Sequence, residues 1–117
     1  MEKIIFDTDI GDDIDDAVAL RFVLKCKEIE TLGVTTAYKN AHQRAKIASA
    51  IVKECGKKVP VYSGVDLPAV CRPEQLNGEQ IGSDGKVRLV QYFDFMEEEK
   101  VEPLSAVDFI LNTAEKY

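Results

Sequence analysis

The sequence predicts an α/β fold, an open and mainly parallel sheet flanked by helices, on two grounds. Short runs rich in Ile, Val and Thr alternate with longer stretches whose apolar residues recur at helical spacing. Turn and cap residues punctuate them so that strand, helix, strand, helix and strand follow in order, the pattern of parallel strands joined by crossover helices.

The first strand is "KIIFDT", residues 3–8, apolar and cut off by polar residues. A helix follows from Ile14, with Ala17, Leu20, Val23 and Leu24 on its apolar face. "ETLGVTTAY", residues 30–38, is the second strand. Asn40 then caps a second helix, whose buried face carries Ala41, Ala45, Ala48, Ile51, Val52 and Cys55. Gly56 stands where a helix-ending glycine belongs, and "KVPVYSG", residues 58–64, is the third strand. Residues 66–86 carry two prolines and three glycines and read as a long loop with one short turn. "LVQYFDFMEEEKVEP" has no clear assignment, and its "EEE" reads as a solvated helix end. Pro103 and Ser105 open a last helix, with Asp108 placed as in a capping box and Val107, Ile110, Leu111 and Ala114 on the apolar face. That helix reaches Tyr117 with no C-cap and no strand after it, and three strands bury little surface. The expectation is a truncated, Rossmann-like sheet, residues 1–117 being the N-terminal part of a single α/β domain.

Composition narrows the class. Hydrophobic residues make up 45%, which argues for a globular chain. The net charge of −6, with no basic stripe, argues against nucleic acid as a partner. Cys26, Cys55 and Cys71 are an odd number without a C-x-x-C, so reduced thiols fit better than disulfides or zinc. Cys26 and Cys55 fall near helix ends, where small buried residues are ordinary. No signal-peptide core and no membrane-length apolar run are visible, so the expectation is a cytoplasmic protein without a membrane partner.

The chemistry concentrates in "FDTDIGDDIDDAVAL", where Asp7, Asp9, Asp12, Asp13, Asp15 and Asp16 lie between the first strand and the first helix. In open parallel sheets, ligands collect at the carboxyl ends of the strands. The helix dipole offers each carboxylate roughly 0.3–1 kcal/mol. Two carboxylates about 6 Å apart repel by roughly 3 kcal/mol at an effective dielectric of about 20. Protonation, escape into water, or a bound cation must resolve the crowding. With neither His nor Cys in the cluster, the oxygen donors suit Ca²⁺, Mg²⁺ or Mn²⁺ better than zinc. Gly11 and Val18 occupy the wrong loop positions for an EF-hand. The bland alternative is an Asp-rich helix start, with Asp12 or Asp13 as the cap.

"DTDIGDDIDDAVAL" resembles the N-terminal signature of the inosine–uridine-preferring nucleoside hydrolases. "GVTTAYKNAHQRAKIASAI", "VPVYSGVDLPAV" and "AVDFILNTAEKY" look like later blocks of the same family in the same order. The resemblance implies hydrolysis of the N-glycosidic bond of a nucleoside substrate by a Ca²⁺-bound water, and a homo-oligomeric complete protein. It implies that Asp9 is a Ca²⁺ ligand and the general base, and that Asp16 is a second metal ligand. Asp15 and Asn40 would contact the sugar, and Asp7 would support the site from behind. The usual family pattern has one residue between the Gly and the Asp pair. Here Asp12, Asp13 and Ile14 fill that gap, which leaves Asp12 and Asp13 without an implied role. "NGEQIGSDG" stands in place of a family His-Gly loop but has no His, and His42 matches no catalytic position. The remaining metal ligands and the leaving-group residues of the family lie in later sequence, so the 117 residues alone are expected to be inactive.

Two other readings share the opening motif. A haloacid-dehalogenase-type Mg²⁺ phosphohydrolase also places D-x-D after its first strand, with Asp7 as nucleophile, but wants Thr or Val where Gly11 stands. A receiver-type signalling domain opens with paired acids but needs an Asp at the end of strand three and a Lys after a fifth strand. Asp66 follows a turn-like "YSGV", and no fifth strand is evident.

Overall fold

The structure is a computed structural model that describes residues 1–67, 79–81 and 87–117. Cys71 and most of the long loop lie outside the described residues.

Three strands form a parallel sheet in the order β1 (Glu2–Thr8), β2 (Ile29–Thr36), β3 (Val61–Ser63). Helices α1 (Asp15–Lys25) and α2 (Ala41–Glu54) make the two crossovers. Leu20 and Leu24 of α1 and Ala45, Ala48 and Val52 of α2 pack with Val34 and Val61 in one buried cluster. Adjacent strand residues face opposite sides, so Gly33 looks away from the face that Val34 presents to these helices. There Phe109 of α3 (Ala106–Lys116) lies so close that a Cβ on Gly33 would sit 2.4 Å from its ring. The same ring stacks on Tyr62 with centroids 4.0 Å apart. The sheet is therefore covered on both faces, as parallel strands require.

Local chemistry explains the helix ends. Gly56, at φ +70°, and Lys57 donate their N–H groups to Lys53 O and Val52 O, a Schellman ending for α2. Ser105 Oγ accepts from the Asp108 N–H at 3.1 Å and caps α3 as expected. Cys26 and Cys55 are the C-caps of α1 and α2, and both are free thiols.

Four expectations are corrected. Residues 79–81, expected within the long loop, are strand β4 (Glu79–Ile81), antiparallel to β5 (Val87–Leu89) in a stretch for which no element was expected. Short strands flanked by glycines leave no period long enough to read. A 3-10 helix, Asp94–Glu98, follows, and "EEE" does close it. Second, α2 is buried over a wider arc than its small residues suggested, because Leu89 and Met96 of this segment cover Ile47 in the same cluster. Third, α3 turns Ala106 and Phe109 toward the sheet, while Val107 and Leu111 remain 51% and 57% exposed. The bare backbone at Gly33 admits the large ring and sets the rotation of the helix. Fourth, Asn40 stands at the N-cap of α2 in the left-handed region, φ 64°, and its side chain makes no capping bond. Asp66, beyond β3, accepts from the Ala41 N–H at 2.9 Å instead.

Candidate active site

The loops that leave β1, β2 and β3 meet at the carboxyl end of the sheet. Ala37 N–H donates to Thr8 O, Tyr38 N–H to Val65 O and Lys39 N–H to Asp66 O, so the three loops are stitched by backbone bonds. A glycine opens the first of them. Gly11 has φ +137°, and a Cβ there would meet Leu89 Cδ1, Arg44 Nη1 and Ile47 Cδ1 at 3.0 to 3.3 Å. Its carbonyl accepts from the Gln91 N–H at 3.0 Å, which fastens the segment after β5 to the same loop.

The six aspartates do not share one space. Asp7 accepts a hydrogen bond from Thr35 Oγ1 at 2.7 Å, on the sheet face away from α1 and α2. Asp12 takes Arg44 Nη2 at 3.3 Å, while its Oδ1 is buried with no hydrogen-bond partner. Asp13 and Asp15 are exposed. Asp9 and Asp16 are the pair brought together. Asp16 sits in the first turn of α1, where Thr8 Oγ1 donates to its Oδ2 at 2.6 Å. That hydroxyl also accepts from the Ile10 N–H at 3.0 Å, so Thr8 ties the loop to the helix start. The Asp9 carboxyl is held above the ordinary aspartate range, first by partial loss of solvent, then by the hydrogen bond and negative charge of Asp16. The positive charge of Arg44 pulls it the other way.

The bland reading of the cluster fails on one point. The N-cap of α1 is Ile14, with no side-chain cap, so neither Asp12 nor Asp13 caps the helix. The repulsion argument also shrinks from six carboxylates to one close pair, because Arg44 pairs with Asp12, Asp7 lies on the other face of the sheet, and Asp13 and Asp15 are exposed.

The donors suit a hard cation in kind: two facing carboxylates, with neither sulfur nor imidazole. Among the described residues no group of three or more His, Cys, Asp or Glu side chains is placed to hold a metal ion. Asp9 and Asp16 are thus a partial ligand set, and an ion such as calcium wants about 6–8 oxygens. His42 is exposed in the first turn of α2.

The strongest side chain in the region was not anticipated. Arg44 is fully buried and bonds residues of both flanking loops. Its signal was a charged residue three positions after Ala41 and four before Ala48, on a face of otherwise small apolar residues. Asp66 and Thr8 had no comparable signal.

A sequence model of the inosine-uridine preferring nucleoside hydrolases matches residues 4–117. The chain belongs to that family. Among solved structures, this chain is similar to an inosine-guanosine nucleoside hydrolase, with a TM-score of 0.70 at 22% identity. The likeness covers 99% of this chain and 35% of the other, so it shows the fold over about a third of that protein's length. No curated protein matches the chain. Membership of the family leaves no ground for the phosphohydrolase and receiver readings. No helix among the described residues is long and apolar enough to cross a membrane.

Proposed function

We propose that this nucleoside hydrolase chain forms the sugar- and calcium-binding end of an enzyme that hydrolyses the N-glycosidic bond of ribonucleosides, releasing free base and ribose. The observation that carries the proposal is the Asp9–Asp16 pair at the carboxyl end of β1, inside the Asp-rich block of a family member. The reaction passes through a sugar with oxocarbenium character, so the site must stabilise positive charge and deliver water to the anomeric carbon.

The residues divide that work. Asp9 takes the proton from the attacking water at a carboxylate oxygen, as general base. Asp9 and Asp16 present negative charge beside the developing cation, where fixed charges act most strongly. Asp15 and Asn40 hold ribose hydroxyls, and the Asn40 carboxamide is available for that because Asp66 caps α2 in its stead. Asp7, held by Thr35, stiffens the end of β1 from the far face of the sheet. Asp9 and Asp16 would be the residues of this chain that hold calcium. The chemistry such an ion supplies when bound is a positive charge that orients oxygen ligands and acidifies water. The reading places the enzyme among cytoplasmic steps of purine or pyrimidine salvage, with no nucleic-acid or membrane partner and with self-association as a homo-oligomer.

The test uses active enzyme containing these 117 residues. Inosine and uridine are expected to release free base, a chelator is expected to stop the release, and calcium to restore it. Undiminished turnover in chelator would remove calcium from the proposal. Failure to cleave any nucleoside would remove the reaction.

A further inference from the structure

Arg44 makes contacts that its role in the core does not require. Its side chain has no solvent exposure. Nε donates to Tyr38 O at 2.9 Å and Lys39 O at 3.0 Å, in the loop that carries Asn40. Nη1 donates to Asp9 O at 2.6 Å and Ile10 O at 3.1 Å, in the loop that carries the carboxylate pair. Nη2 reaches Asp12 Oδ2 at 3.3 Å. One planar fork thus spans two loops and grips the backbone of Asp9 itself. An apolar side chain would fill the volume equally well, and buried ion pairs are often replaceable in that way without loss of stability. It would remove the bonds that tie carbonyls of both loops to a common anchor. Lysine has a single point of charge and cannot reproduce the fork. The absent Cβ of Gly11, which would lie 3.1 Å from Nη1, is what lets the guanidinium approach.

We propose that Arg44 is the positioning residue of the site: it sets the Asp9 loop and the Asn40 loop in one fixed relation, so that metal ligand and sugar ligand are presented together. The proposal rests on the reading of Asp9 and Asp16 as metal ligands. Arg44 touches neither metal nor sugar and acts through the backbone it holds. Residues that orient metal ligands typically alter metal affinity by about 10–100-fold when changed.

The probe is terbium(III), a luminescent stand-in for calcium, titrated into active enzyme containing these 117 residues. Arg44→Lys is expected to keep the wild-type circular dichroism and to bind terbium roughly 10–100-fold more weakly. Arg44→Ala, prepared with millimolar guanidinium to return the fork to its cavity, is expected to recover much of the wild-type affinity. An Arg44→Lys chain with native spectrum and wild-type affinity overturns the proposal. So does a guanidinium-treated Arg44→Ala chain that folds but does not regain affinity. A chain that unfolds in both variants assigns Arg44 to the core alone and overturns it as well. Wild-type chain that takes up no terbium refutes the metal reading itself, and the positioning role falls with it.

Discussion

Asp9→Asn in active enzyme is expected to reduce kcat for nucleoside hydrolysis by at least roughly 10²–10⁴-fold, the ordinary contribution of a general base. The amide cannot take the water's proton, and it also weakens one of the two carboxylate ligands. The loss should not be a loss of fold. Asp9 titrates above the ordinary aspartate range, chiefly through partial burial and then through Asp16. Between about pH 4 and that raised value, the folded chain keeps a proton that the unfolded chain has released. Ionised Asp9 therefore costs the metal-free fold stability at neutral pH, and the cost disappears below about pH 4. Because Asp9 keeps much of its contact with solvent, that cost is small. Asn removes it, so the metal-free variant should melt no lower than wild type at pH 7. Steady-state kinetics beside a thermal melt decide the matter. Near-normal kcat would remove Asp9 from the chemistry, and a collapsed melt would assign the loss to unfolding.

Gly11→Ala is expected to be strongly destabilising, because an unfavourable backbone conformation and steric crowding act together there. The residue lies at φ +137°, a region that costs other residues about 1–3 kcal/mol. Its new Cβ would also crowd Leu89, Arg44 and Ile47 at 3.0 to 3.3 Å, and overpacking of that kind costs roughly 1–3 kcal/mol more. Together these take a large share of the ~5–15 kcal/mol that holds an ordinary domain. Gly56→Ala is the internal comparison. Its φ of +70° is also left-handed, but nothing lies within 4 Å of the added Cβ, so only the conformational cost remains. Urea midpoints should fall much further for Gly11→Ala than for Gly56→Ala. Equal shifts would mean that the loop yields freely and that Gly11 does not fix the approach of Arg44.

The legible parts of this chain were those written in local periodicity or in short-range caps. β1, α1, β2 and α2 followed from apolar spacing, and Ser105 and Gly56 act within three or four residues of their own positions. What escaped depends on residues far apart in sequence. Asn40 has the right identity for an N-cap, yet Asp66 reaches Ala41 from beyond β3 and takes that role. The rotation of α3 was set by the missing Cβ of Gly33 and the ring of Tyr62, not by the helix's own apolar stripe. In the candidate site, Asp9 and Asp16 lay inside one short motif and were singled out by its resemblance to the family signature. Arg44 could not be understood locally, because its partners are the carbonyls of Asp9 and Ile10, more than thirty positions upstream. The charge argument was too broad for the same reason: it summed six carboxylates without seeing that Arg44 pairs with Asp12 and that Asp7 turns to Thr35 on the other face of the sheet.

Calorimetric titration of calcium into active wild-type enzyme containing these residues and into its Asp16→Asn variant tests the account most directly. The account predicts saturable uptake by wild type, and uptake weakened or lost in the variant with the fold retained. Wild-type protein that takes up no calcium at millimolar concentration, or an Asp16→Asn chain that binds it as well as wild type, would contradict it.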